Sequence, residues 1–233
     1  MHFDFSNRNV VVTGGTGALG TAVVQALIEE GARCHVPCRE PSDLDRFPYC
    51  GHSRVTLVPN IDLCDEAAVK RFYESVDDLW ASVHLAGGFS MSPVAETTLA
   101  EFRRLMDMNA VTCFLCCREA AKRIRATGAG GRIVNVAARP ALHAVSGMVA
   151  YAASKAAVAS ITLNLAEELK GDRIWVNAVV PSILDTPANR KSQPQADYSR
   201  WVKVSDVAST VVFLASPRNV VTRGSLVTAY GQM

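Results

Sequence analysis

The chain has 233 residues, with 24 lysines and arginines against 22 aspartates and glutamates, giving a formal charge of +2. That length suits one well-filled domain, and without a block of like charge the chain has no footprint for a phosphate backbone, so nucleic-acid binding is excluded. MHFDFSNRN at the amino terminus lacks an apolar leader segment, and no unbroken apolar run reaches the roughly 18 residues of a membrane span, so a soluble cytoplasmic protein is expected.

In chain order, NVVVTG reads as a strand, GGTGALG as a glycine-rich turn, and Ala18 to Glu30 as a helix with Val24, Leu27 and Ile28 on one stripe and Gly31 as its carboxyl-terminal cap. Strand, turn and helix in succession form a dinucleotide-binding unit. Its glycines, Gly15, Gly17 and Gly20, let the backbone turn sharply and approach a pyrophosphate, and the helix amino terminus offers unpaired N–H groups. The second strand, ARCHVPCRE, should end near the adenosine ribose. An acidic residue there would bond the 2′-hydroxyl of NAD, and an arginine would receive the 2′-phosphate of NADP. Cys38 occupies the expected acidic position and Arg39 follows it, which favours NADP; an inward-turned Glu40 leaves NAD open.

A third strand, RVTLVPN, precedes a helix over Asp65 to Val76, and a fourth, WASVHLAG, precedes a long helix over Leu99 to Ala126. That helix contains CFLCC, with Cys113, Cys116 and Cys117 at helical spacing. No second cluster nearby completes a metal site, and seven scattered cysteines, an odd number, suit free thiols in a reducing compartment; no metal is expected.

The fifth strand, GRIVNVAA, leads to a helix over Met148 to Lys170 in which Val158, Ile161, Leu165 and Leu169 repeat at helical spacing. Tyr151 and Lys155, at i and i+4, therefore share a face. A free tyrosine has a pKa of about 10, and an ammonium about 5 Å away at an effective dielectric near 20 would favour the phenolate by roughly 3 kcal/mol, enough to bring Tyr151 into the acid–base range. RIWVNAVVP is the sixth strand. The stretch Pro181 to Trp201 after it is the least regular, and lies where a loop would cover substrate at the carboxyl edge of a sheet. A helix over Val204 to Ala215 and a seventh strand, GSLVTAYG, complete an alternation that implies a doubly wound parallel α/β sheet of about seven strands, Rossmann-like and a single domain over residues 1–233.

Together these segments resemble the short-chain dehydrogenase/reductase family over nearly the whole chain. TGGTGALG is similar to its glycine turn, so the resemblance implies cofactor contacts from Gly14, Gly15, Thr16, Gly17, Ala18 and Leu19. IDL resembles the adenine contact (Asp62, Leu63), and LAGG the strand-four motif (Ala86, Gly87, Gly88). MDMNA supplies the family's helix asparagine, Asn109, which implies an ordered water for a proton relay, and YAASK matches its Tyr-x-x-x-Lys signature, implying Tyr151 and Lys155 in catalysis and cofactor binding. VVPSILDTP resembles the segment that meets the nicotinamide carboxamide, implying contacts from Pro181, Ile183 and Thr186, with Ser182 in place of the usual glycine.

The chain departs from that pattern in two places. Ala18 replaces a glycine, and Ala138 stands where the family has an active-site serine that helps polarise a carbonyl; losing one such donor typically costs on the order of 10²–10³ in rate. Both departures resemble the dihydropteridine reductase branch, in which a basic residue also follows the alanine, as Arg139 does here, and to which LDTPANRKSQPQADYSRW is similar almost residue for residue. The implied chemistry is hydride transfer from reduced nicotinamide to a quinonoid dihydropterin, an electron-poor C=N substrate that needs little polarisation. The branch carries an acidic residue at the position of Cys38 and lacks the equivalent of Asn109. Two other expectations stand beside this one. A general carbonyl or 3-oxoacyl reductase would use His143 or Ser146 as the missing donor, and a non-catalytic nucleotide-sensing or scaffold protein would also tolerate Ala138. An apolar content of 49% points to self-association through the long helices, as a homodimer or homotetramer.

Overall fold

The β-branched runs form the strands of one seven-stranded sheet in the computed structural model, which describes residues 2–40, 42 and 47–232. These strands are β1 (Asn9–Thr13), β2 (Arg33–Pro37), β3 (Val55–Val58), β4 (Leu79–His84), β5 (Gly131–Val136), β6 (Ile174–Pro181) and β9 (Leu226–Ala229). Their order is β3-β2-β1-β4-β5-β6-β9, and every pairing is parallel. The chain winds outward from β1 in one direction, then restarts beside it at β4 and winds in the other. This reversal opens a crevice at the carboxyl ends of β1 and β4, where open α/β sheets bind their ligands.

Both faces of the sheet are covered, which explains why its strands read as continuous apolar runs. Val10 and Val12 face a core shared with α1 (Ala18–Glu29) and α7 (Val204–Ala215), whereas Val11 faces one shared with α2 (Glu66–Glu74), α4 (Thr112–Thr127) and α5 (Val149–Glu168). All three valines are fully buried, and each contributes about 1.5–3 kcal/mol by leaving water.

Two expectations need correction. The stretch from Leu99 to Ala126 is not one regular helix: α3 (Leu99–Met106) passes into a π turn over Asp107–Val111 before α4 begins. The extra residue in that turn aims Asn109 at strand four's exit, and such bulges arise where a side chain is re-aimed for a specific contact. Nor is Pro181 to Trp201 irregular. It contains β7 (Leu184–Asp185), α6 (Pro187–Ser192) and a 3₁₀ turn over Tyr198–Arg200, and β7 pairs with β8 (Val202–Lys203). Thr186 caps α6 by accepting from the Asn189 N–H, and Pro187 occupies the first turn, where its missing N–H costs nothing. Arg190 then clamps Asp185 through two bonds of 2.6 and 2.8 Å.

Among the described residues one helix, α5, is long and apolar enough to cross a membrane. It packs on β6 and buries Ser154, Lys155, Val158 and Thr162, so its apolar surface serves the core. All seven cysteines are free thiols.

Candidate active site

The glycine turn is shaped by missing atoms. Gly14 has φ +65°, and a Cβ there would lie 2.6 Å from the Ala86 nitrogen; at Gly20 it would lie 2.1 Å from the Gly14 carbonyl oxygen. Neither position admits a side chain, so the turn closes tightly onto the end of β4. Gly17 is different, since its Cβ would meet only the Gly14 carbonyl at 3.3 Å, which leaves close approach of a phosphate as its use. The first backbone bond of α1 runs from the Thr21 N–H to the Gly17 carbonyl, and no side chain caps the helix. The N–H groups of Ala18, Leu19 and Gly20 are thus the unpaired donors of a helix amino terminus. Ala18 is exposed, and its methyl group obstructs nothing.

Beside this turn lies a cleft of about 340 Å³ whose lining includes Gly14, Thr16, Gly17, Arg39, Asp62, Leu63, Ala86 and Gly87. Pro37, Ile61, Met108 and Thr112 also line it and were not singled out from sequence, although Ile61 opens IDL and Met108 sits next to Asn109 in MDMNA. Arg39 reaches the cleft with a side chain 73% exposed, and Glu40 does not turn inward but pairs with Arg39 at 3.7 Å. Cys38 is buried, with its thiol against the carbonyls of Val36 and Val58. A glycine cradle, free helix N–H groups and a cation at the end of β2 suit a dinucleotide carrying a 2′-phosphate.

Across β4 the site is built from buried polar side chains. Asn109, 1% exposed, donates to the Gly88 carbonyl at 3.0 Å and to Ser154 Oγ at 3.1 Å, and its Oδ1 accepts from the Gly88 N–H at 3.1 Å. Gly87 makes this possible, because a Cβ there would lie 2.5 Å from Asn109 Oδ1 and 3.4 Å from Lys155 Nζ. Lys155 donates to the Val136 carbonyl at 2.9 Å. Ser154 donates to the carbonyl of Tyr151, whose ring meets Phe89 edge-on at 4.9 Å.

The electrostatics differ from the sequence expectation. Burial pushes the Tyr151 phenol up to about 12, and burial brings Lys155 down to about 8. The lysine does not bring the phenol into the neutral range; its ammonium is engaged by the carbonyl of β5, and loss of hydration governs both groups. Tyr151 is therefore held protonated, the form that donates.

Ala138 is buried at the end of β5 with an extended backbone (φ −162°, ψ 156°). Arg139 lies 5.7 Å from the Tyr230 ring, and His143 meets that ring at 5.7 Å. His143 and Ser146 are both exposed. Pro181 ends β6 in the core, Ile183 follows half-buried, and Thr186 is committed to capping α6.

The sequence profile described as short chain dehydrogenase matches residues 8–197. The chain is 30% identical to the L-xylulose reductase of Homo sapiens, over 99% of this chain and 98% of that protein. It is 28% identical to the carbonyl reductase [NADPH] 2 of Sus scrofa, over 97% of this chain and 96% of the relative. A solved short chain dehydrogenase/reductase family protein superimposes with a TM-score of 0.90 at 27% identity, covering 98% of this chain and 97% of the other. The expected closer likeness to dihydropteridine reductases is not shown by these relatives, which include carbonyl and xylulose reductases.

Proposed function

Because the chain belongs to the short-chain dehydrogenase/reductase family and is an oxidoreductase of that family, we propose that it is an NADPH-dependent reductase of a flat, electron-poor C=N or quinone-like small molecule, a quinonoid dihydropterin being the leading candidate. The carrying observation is Ala138. A buried methyl group stands where a hydroxyl donor would be needed for an unreactive ketone, and the replacements open to a ketone reductase, His143 and Ser146, face water. A substrate that is already electron-poor does without the donor.

In this reading NADPH, when bound, supplies the hydride. The Gly14–Leu19 turn would hold its pyrophosphate through the free N–H groups at the start of α1, Arg39 its 2′-phosphate, Asp62 and Leu63 its adenine, and Ala86, Gly87 and Gly88 would border its ribose. Pro181, Ile183 and Thr186 border the carboxamide. Tyr151, kept protonated by burial, gives the proton to the substrate nitrogen or oxygen, and the Lys155 ammonium stabilises the phenolate as it forms. Asn109 keeps the end of β4 in register with α5 and feeds the proton relay. Arg139, beside Ala138, faces the substrate.

The names of the relatives favour a second reading, a general carbonyl reductase. A scaffold without catalysis has less support, because Asn109, Tyr151 and Lys155 are all in place. The deciding experiment is the initial rate of NADPH and of NADH oxidation with freshly generated quinonoid dihydropterin, beside a simple ketone. Fast turnover of the pterin alone, with NADPH preferred, is expected. Turnover of the ketone alone overturns the substrate assignment, and no turnover with any electron-poor acceptor overturns the enzyme reading in favour of the scaffold. Free thiols suit a cytoplasmic location. The exposed Phe114 of α4 and Leu163 of α5 suit a homodimer or homotetramer, which light scattering would count.

A further inference from the structure

The parallel register sets His84 directly opposite Asn135 at the exits of β4 and β5, and α4 crosses that point with Cys113 and Cys117 one turn apart. Cys117 Sγ lies 3.9 Å from Cys113 Sγ, 3.4 Å from His84 Nδ1 and 3.3 Å from Asn135 Oδ1, and His84 Nδ1 is 2.8 Å from Asn135 Oδ1. The two sulfurs and the imidazole nitrogen all lie within 4.8 Å of one another. All four side chains are at most 5% exposed. From these distances we propose that His84, Cys113, Cys117 and Asn135 form a buried zinc site, separate from the cofactor cleft and adjoining Lys155.

Zinc takes sulfur at about 2.3 Å and nitrogen or oxygen at about 2.0–2.2 Å, so a tetrahedron of these four donors has edges of about 3.4–3.8 Å. Of its six edges, three stand at 3.9, 3.4 and 3.3 Å and match within about 0.3 Å, and the edge from Cys113 to the imidazole lies within 4.8 Å, so Cys113 must draw inward. The edge from His84 to Asn135, 2.8 Å, is a hydrogen bond that zinc would replace by drawing both atoms onto itself. The charge also balances: two thiolates cancel the dication, and the imidazole and amide are neutral. A site without net charge is the kind that an apolar core tolerates. Both cysteines bind as thiolates, so any S–H still present gives its proton to solvent as its Zn–S bond forms, with no change of oxidation state.

The surroundings accept either tautomer of His84. Nε2 meets Ser82 Oγ at 2.8 Å and the Tyr73 hydroxyl at 3.3 Å, and Ser82 Oγ meets that hydroxyl at 2.8 Å. Without metal, Nδ1–H donates to Asn135 and the chain Tyr73–Ser82 donates into Nε2. With metal, Nδ1 is bare and Nε2–H donates to Ser82 Oγ, whose own hydroxyl can turn toward Tyr73. Asn135 is fixed independently, since its Nδ2 donates to Thr162 at 2.9 Å and leaves Oδ1 pointing at the site. Outer hydrogen bonds that orient a histidine and a carbonyl oxygen are the usual support of a metal site.

The test uses the full-length reduced protein, stripped with a chelator and titrated with Zn²⁺ and, as a coloured probe, Co²⁺. One equivalent per chain is expected, with a sulfur-to-cobalt charge-transfer band. Cys113→Ala and Cys117→Ala should lose that band, whereas Cys64→Ala, which alters an exposed thiol elsewhere, should keep it. The proposal is overturned by a wild-type spectrum lacking the band at one equivalent, or by a band that survives both core substitutions. If either variant loses NADPH binding, and with it the fold, the wild-type spectrum decides alone: a charge-transfer band that fails to saturate at one equivalent overturns the site.

Discussion

The two halves of the sheet's carboxyl edge are built by opposite means. On the β1–β2 side the features are absences and exposed groups: two glycines where no Cβ fits, a bare helix terminus, and an arginine 73% exposed. On the β4–β5 side they are polar groups sunk in the core, with Asn109, Asn135 and Ser154 at 1%, 0% and 0% exposure and Lys155 at 7%, each with hydrogen-bond partners. Steric shape can be specified by backbone and leaves protonation alone. Burying titratable groups moves their equilibria, so the second half suits chemistry and the first suits binding.

The largest effect that would sharpen this contrast is Tyr151→Phe. Removing a positioned proton donor should lower kcat by about 10²–10⁴ while leaving the Kd for NADPH unchanged, because the hydroxyl lies outside the adenosine cleft. Steady-state kinetics beside cofactor titration would check it, and a variant with full kcat would break the contrast.

Next comes the cost of burying Lys155. Its folded pKa of about 8 lies below the unfolded value of 10.5, so between these values the unfolded chain binds more protons and stability rises with pH. The gain attributable to this one residue should approach roughly 3 kcal/mol across that window. It is read as the difference in urea midpoint between wild type and Lys155→Met at pH 8 and pH 10. Tyr151 titrates higher, with its pKa raised to about 12, so its own contribution falls away only above pH 10. Equal slopes for the two proteins would show that Lys155 is hydrated in the folded state.

In the shape-specified half the corresponding pair is Gly20→Ala and Gly17→Ala. The first drives a methyl group to 2.1 Å from a backbone oxygen, and overpacking of that kind costs about 1–3 kcal/mol of stability. The second meets one oxygen at 3.3 Å, so thermal unfolding should barely change while NADPH affinity drops. If both variants lose stability equally, Gly17 is a packing residue and has no phosphate to admit.

The contrast also explains what could be read from sequence. Strands and the helix Val204–Ala215 were legible because periodicity is local, and the glycine turn because a strand and a helix bracket it within a few residues. The π turn at Asn109 was not, since it depends on a contact with Gly88 across the fold. The stretch Pro181 to Trp201 read as the least regular, yet Pro187 opens a helix within it. His84 does not join Cys113 and Cys117 until the register of β4 on β5 is known. The sign of the Tyr151 shift was misread because a pairwise attraction can be drawn from spacing, whereas burial cannot.

The smallest effect expected is at Arg39, and it probes whether exposure limits what a side chain can contribute. Its guanidinium is in water and shares its charge with Glu40 at 3.7 Å, so a bond to a 2′-phosphate there replaces hydration and does not fill a buried vacancy. A charge-assisted hydrogen bond of about 1.5 kcal/mol corresponds to roughly tenfold in affinity. Arg39→Ala should therefore raise the KM for NADPH about tenfold and leave that for NADH alone, and the difference should shrink as salt screens an exposed contact. A loss of 10³ or more would mean that the cleft closes over Arg39 when cofactor binds, so that the two halves of the edge differ only until the ligand arrives. An unchanged KM for both cofactors would assign the 2′-position to another group lining the cleft and remove the sequence basis for preferring NADPH.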